Sequence, residues 1–248
     1  SNLKADLRDL LKNRPWWILL GAGIGALIFN SIRDGAAVYY FKYYVSSSVN
    51  FDFSLFGTDF HMTPTSIYLI LGQAANIIGV ILATPIANRI GKKKTFIGAM
   101  ALCSILSLVF YFFGKEDILL IMSFQFLISI CAGCFFPLVW SMYADSADYS
   151  EWKQGRRATG LVFSASSMSQ KFGWTIGGAG AGWLLGYYGF QANVEQTAVA
   201  QNGIQLMLSI LPAIAAFISV AFILFYPLSE EKLQIIEQDL NEKRNQIL

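Results

Sequence analysis

The stretch Ile204-Gln-Leu-Met-Leu-Ser-Ile-Leu-Pro-Ala-Ile-Ala-Ala-Phe-Ile-Ser-Val-Ala-Phe-Ile-Leu-Phe-Tyr-Pro227 contains no Asp, Glu, Lys or Arg. As a helix rising ~1.5 Å per residue it is long enough to cross a hydrocarbon core of about 30 Å. Five further apolar stretches are also long enough, at 15–42, 64–88, 95–113, 118–143 and 159–188. The fold class this predicts is an all-α membrane protein, a bundle of six transmembrane helices over 15–227. An amphipathic segment, 1–14, precedes it, and an amphipathic tail, 228–248, follows. Pro15 and Pro64 stand at or near the first helical position of their spans, where a missing N–H costs nothing, and Pro227 stops the last.

Composition points the same way. Of 248 residues, 55% are hydrophobic and only 14% charged, against about 25% charged in an ordinary soluble domain. Aromatic residues reach 15% and there are 21 Gly, both used freely in membrane helices. A net charge of +2 with no basic stripe sets nucleic acid aside as a partner. Cys103, Cys131 and Cys134 fall within apolar runs and, with no second pair or histidine beside them, are expected to be buried thiols. Ser1 to Arg14 is polar and the first apolar run is too long for a leader's core, so no cleavable leader is expected.

Orientation follows from Lys and Arg, which cytoplasmic loops retain. Lys4, Arg8, Lys12 and Arg14 precede the first span; Arg89, Lys92, Lys93 and Lys94 follow the second. Lys153, Arg156 and Arg157 follow the fourth, and Lys232, Lys243 and Arg244 the sixth. The opposite loops, 43–63, 114–117 and 189–203, hold only Lys115. Both termini are therefore expected in the cytoplasm. Leu3, Leu7, Leu10 and Leu11, and again Leu233, Ile236 and Leu240, recur at helical spacing; these flanking helices either lie on lipid headgroups or are solvated linkers. Val45 to Met62 reads as an external loop with a fluctuating or short helical part. It contains His61, which without a partner makes neither a triad nor a metal site.

Ionisable side chains within spans cost roughly 2.5–3.5 kcal/mol each at the centre and therefore point to function. Arg33 and Asp34 fall deep in the first span on neighbouring positions, about 100° apart around the helix, so they must face different neighbours. Lys171 lies midway along the fifth, in the polar run Ser164-Ala-Ser-Ser-Met-Ser-Gln-Lys171. Gln73 and Asn76 share one face of the second span, Gln170 and Trp174 one face of the fifth. Such faces either join helices or line a water-filled path; for Lys171 the path is the reading adopted, since a mere brace could be cheaper to insert. Gly173, Gly177, Gly178, Gly182 and Gly186 permit close backbone approach on the fifth span, and Pro85, Pro137 and Pro212 can kink theirs. No metalloprotease, nucleophile-elbow or P-loop motif occurs, so an enzyme is not expected.

After the fourth span the sequence reads Ala144-Asp145-Ser-Ala-Asp148-Tyr149-Ser-Glu151-Trp-Lys153-Gln-Gly-Arg156-Arg157-Ala-Thr-Gly160-Leu161, then Phe163-Ser164. This resembles the loop between the tenth and eleventh helices of the glycoside-pentoside-hexuronide:cation symporters, the branch of the major facilitator superfamily that includes the melibiose permeases. Arg33 to Tyr44 looks like that family's seventh helix, and Arg89-Ile-Gly91-Lys92-Lys93 like the basic loop after its eighth. The resemblance covers most of the chain and implies half of a major facilitator fold, helices seven to twelve.

By that resemblance the function is symport of a sugar with Na+, H+ or Li+ across a bacterial cytoplasmic membrane. The coupling cation would be held mainly by an amino-terminal half absent from this sequence, and no resident cofactor is implied. Lys171 falls on a lysine that the family carries near its sugar and cation sites. Trp174, Trp140, Gln73 and Asn76 join it as candidate sugar contacts. Asp145, Asp148, Glu151 and Arg157 fall on the family's cytoplasmic charged cluster, which helps close the inner gate; the three carboxylates, spaced three apart, would line one side of a helix end. The partners implied are a sugar, membrane lipid, and the missing six-helix half or a second copy of the chain. A lysolipid cargo on the same scaffold, or a module that transports nothing, are the other readings.

Overall fold

The structure, a computed structural model, describes residues 3–45, 51–55, 58–155 and 159–245. Helix α1 (Leu3–Lys12) stops at Asn13, whose side chain accepts the Trp16 N–H and so caps α2 (Arg14–Tyr39), with Pro15 in the first turn. A wide π turn, Tyr40–Val45, continues α2. Thr63 caps α3 (Pro64–Ile90) in the same way, and Gly91, at φ 91°, turns the chain into α4 (Lys92–Phe110). Then come α5 (Ile118–Gly133), α6 (Phe135–Gln154), α7 (Thr159–Tyr187), α8 (Ala198–Leu208), α9 (Ile210–Leu224) and α10 (Glu230–Asn245).

These helices make six crossings, because α5 with α6 and α8 with α9 are single spans, each broken in the middle. The breaks fall at Cys134 and Ser209, three residues before Pro137 and Pro212. Each proline lacks the N–H that would bond the carbonyl four residues earlier and clashes with it. Pro85 sits inside α3 without dividing it. Five crossings are long and apolar enough to span a membrane; α7, of 29 residues, has the length but is the more polar, as its Ser164–Lys171 run requires. The all-α six-helix bundle expected from the sequence is the one observed.

Two segments differ from the sequence reading. Between the first two crossings, where a loop with a fluctuating or short helical part is expected, β1 (Phe51–Leu55) pairs antiparallel with β2 (Thr58–Met62), Phe51 opposite Met62. Phe51-Asp-Phe-Ser-Leu and Thr58-Asp-Phe-His-Met alternate apolar and polar residues with period two, the mark of a strand. In the tail, α10 packs one face against the bundle instead of standing off it as a solvated linker. Ile236 and Leu240 are buried and Leu233 is half-buried against the bundle, and Trp152 Nε1 on α6 donates to Asp239 at 2.7 Å. Of the α1 leucines with described side chains, Leu10 is buried while Leu7 and Leu11 stay exposed.

Helix α2 is the hub. It packs on α7 and α9, burying Leu19, Ala22, Ala26, Leu27, Phe29 and Ile32. Close approach is made by small residues. A Cβ on Gly173 or Gly177 would lie 2.9 Å from Leu27 and 2.6 Å from Ser31, so those two glycines hold α7 against α2. Gly182 and Gly186 have nothing within 4 Å, so only part of the glycine pattern is a packing seam. The tightest contact joins α3 to α5, where a Cβ on Gly79 would stand 2.0 Å from the Ile130 carbonyl oxygen.

Candidate functional site

Arg33 points inward from α2 and is 4% exposed. Nη2 donates to Tyr68 Oη on α3 and to Gln125 Oε1 on α5, both at 2.8 Å. Nη1 donates to Ser107 Oγ on α4 at 3.4 Å and to the Leu208 carbonyl at the end of α8. That carbonyl is the one Pro212 leaves without its helical partner, so the break in the sixth crossing supplies an acceptor that the guanidinium uses. The rings of Phe29 and Phe110 lie 5.7 and 5.2 Å from its carbon, in cation–π range. Arg33 thus ties α2 to four other helices.

Its sequence neighbour faces elsewhere, as the helical angle requires. Asp34 is exposed to a cavity of about 120 Å³ bounded by α2, α3, α5, α6 and α7. Among the described residues no hydrogen bond or ion pair reaches its carboxylate. Asn30, one turn earlier, lines the same space with Gln73 and Asn76 of α3, Gln125 and Ser129 of α5, and Trp174 of α7. Asn30 Nδ2 is held by the Ala26 carbonyl at 3.0 Å, leaving its oxygen free; Gln125, accepting from Arg33 through Oε1, has its amide hydrogens left to give. Gly72 makes the room: a Cβ there would come within 2.6 Å of Gln125 Nε2.

Gln73, Asn76, Trp174, Arg33 and Asp34, singled out in the sequence, therefore meet at one place. Lys171 and Trp140 do not line it. They border a second, more open concavity with Phe163, Ser164, Ser167 and Met168, where the Trp140 and Phe163 rings stack at 5.7 Å. The two lie next to each other: Phe136 and Trp174 line the first, Trp140 and Lys171 the second, one helical turn away on α6 and α7. Lys171 is exposed. Asn30, Gln125 and Ser129 were not singled out. A signal existed, since Gln125 interrupts an apolar run and Asn30 stands four residues before Asp34.

At the end of the bundle that carries most of the basic residues, Lys92 Nζ bonds both oxygens of Asp145 at 2.8 Å. The Lys92 backbone N–H is accepted by Glu230, and Lys93 Nζ caps the end of α9 through the Leu224 and Tyr226 carbonyls. Asp145 and Asp148 line one recess with Glu230 and Glu237. Glu151 lies one turn beyond Asp148 on α6, half-buried; Arg157 falls outside the described residues. The partner observed for Asp145 thus belongs to the same bundle.

Residues 1–230 match the family model described as MFS/sugar transport protein. Over 247 residues the chain is 29% identical to the glucuronide carrier protein homolog of Escherichia coli, and over 245 residues 29% identical to the isoprimeverose transporter of Lactiplantibacillus pentosus. Each match takes in 98% of this chain but only 50% and 48% of the relative. An uncharacterized 29.9 kDa protein of Pseudescherichia vulneris is 32% identical over 203 residues, 82% of this chain and 69% of that one. The chain spans about half the length of the first two relatives, and its apolar crossings are those of an integral membrane protein. With a family model covering nearly all of it, the chain belongs to the MFS/sugar transport family of the major facilitator superfamily.

Proposed function

We propose that this chain forms the carboxyl-terminal, sugar-binding six-helix half of a glycoside symporter that works by alternating access, with its basic end and both termini in the cytoplasm of a bacterial cell. The observation that carries this reading is the cavity beside Asp34. Its carboxylate, amides and hydroxyl match the paired donors and acceptors of sugar hydroxyls, and Trp174 offers an aromatic face for a pyranose ring. A cavity of about 120 Å³ is small beside the ~300–1,000 Å³ of ordinary ligand pockets. A glycoside would need a second wall, and an opposing six-helix bundle facing α3 and α7 would supply it. That bundle would also hold most of the coupling cation's ligands, Na+ or H+ being the cations in question.

Lys171 and Trp140 form the approach one turn nearer the basic end, and Lys171 supplies a cation to whatever the opposing half presents. Lys92 and Asp145, with Asp148, Glu151 and Arg157, form the charged cluster that closes the cytoplasmic side as the halves rock about a midplane site. The apolar crossings keep the chain in the cytoplasmic membrane.

Isothermal titration of p-nitrophenyl glycosides into the full transporter, this chain together with the opposing six-helix half, held in lipid nanodiscs tests the reading. Saturable binding is expected, weakened about 10-fold (~1.4 kcal/mol) by Trp174→Ala through loss of ring packing. Absence of saturable binding by any glycoside of a broad panel removes the proposal.

A further inference from the structure

The charges around the Asp34 cavity narrow its substrate class, an inference that rests on the glycoside reading. Two ionisable side chains border the cavity, Arg33 and Asp34. A guanidinium has five N–H donors in a fixed fork. The four on the terminal nitrogens of Arg33 are directed to Tyr68, Gln125, Ser107 and the Leu208 carbonyl, and its faces to Phe29 and Phe110. With 4% of its surface exposed, it has little left to offer an anion entering from the cavity. Asp34 is the reverse case, exposed to the cavity with no hydrogen-bond donor among the described residues. The other polar groups of the wall, Asn30, Gln73, Asn76, Gln125 and Ser129, are neutral, and Lys171 lines the neighbouring concavity.

We infer that the cavity accepts neutral, polyhydroxylated glycosides and rejects those bearing a carboxylate or sulfonate. A vicinal diol gives Asp34 two hydroxyl hydrogens, the charge-assisted pairing an acceptor-only group takes best. A second anion in the same space meets the Asp34 carboxylate, while the terminal nitrogens of the neighbouring Arg33 are turned to other acceptors. Coulomb repulsion at ~4 Å and an effective dielectric near 20, discounted for partial exposure, corresponds to about 100-fold in affinity.

The test compares ligands that differ only in replacing CH2OH by a carboxylate: p-nitrophenyl β-glucoside against β-glucuronide, and the galactoside against the galacturonide. Each is titrated into the wild-type full transporter, both halves together, in nanodiscs at pH 7.5. The neutral member of at least one pair is expected to bind about 100-fold more tightly than its acidic partner. Asp34→Asn should shrink that ratio to about 10-fold or less, whereas Asp34→Glu should keep it. Equal binding within both pairs by the wild-type transporter overturns the charge selection and leaves the glycoside reading standing; so does a ratio unchanged in a folded Asp34→Asn protein. Binding of none of the four ligands overturns the selection, and the broader panel then decides the glycoside reading. Should Asp34→Asn not fold, the wild-type ratios alone decide.

Discussion

Arg33 and Asp34 are adjacent in the chain and opposite in circumstance. The guanidinium meets four acceptors and two aromatic faces, so its presence at depth is compensated. Replacing it by Leu removes a charge but leaves Tyr68, Gln125 and a proline-freed carbonyl without a donor. Unsatisfied buried groups cost ~1–3 kcal/mol each, reduced in a membrane where the unfolded chain finds other partners. Arg33→Leu is therefore expected to destabilise the bundle by ~2–4 kcal/mol, read as a drop in the detergent melting temperature followed by size exclusion; an unchanged melt contradicts the hub. Asp34→Asn should leave the same melt within ~0.5 kcal/mol, because no described contact holds the carboxylate.

At the scale of helices, glycine position decides which crossings are tight. Gly133 faces Asn76 of α3 with a would-be Cβ only 2.2 Å from its carbonyl oxygen, a backbone atom that cannot step aside. Gly133→Val should separate α3 from α5 and lower stability by at least ~2 kcal/mol, in the upper range for overpacking. Gly182→Ala, with open space around it, should change the melting of the isolated chain by less than ~0.5 kcal/mol. Equal effects of the two substitutions would mean that the α3–α5 contact is not the tight one. The helix breaks belong to this scale as well. Pro212 opens α8 from α9 and frees the Leu208 carbonyl, so Pro212→Ala should close the helix there and weaken the Arg33 cluster instead of improving it.

Across the whole molecule, the basic end is fastened by long-range contacts. Lys92 and Asp145, 28% and 14% exposed, join the start of α4 to α6, and α10 returns to cover the same region. A double-mutant cycle with Lys92→Ala and Asp145→Ala should give a coupling of about 1 kcal/mol, the upper end for exposed pairs, since both groups are partly shielded. Ile236→Asp places a charge in the buried face of α10. The expected result is release of the tail, detected as faster cleavage of residues 230–245 by trypsin with the crossings left intact; cleavage at the wild-type rate would mean that the docked face contributes nothing.

Six crossings and the basic end can be read from the sequence because hydrocarbon imposes a length and an apolarity that no other part of the chain needs to supply. The same holds for the pairing of Gln73 with Asn76 and the divergence of Arg33 from Asp34, which follow from helical angles alone. The hairpin at 51–62 carried its own period-two pattern, masked by a composition that also suits a loop. Only the tertiary structure could decide that both terminal nitrogens of Arg33 are engaged while no described residue bonds the Asp34 carboxylate, that Lys171 borders a different concavity from Gln73, and that α10 docks on α6. Each of these depends on which residues far apart in the chain come within hydrogen-bonding or packing distance, and local periodicity holds no record of that.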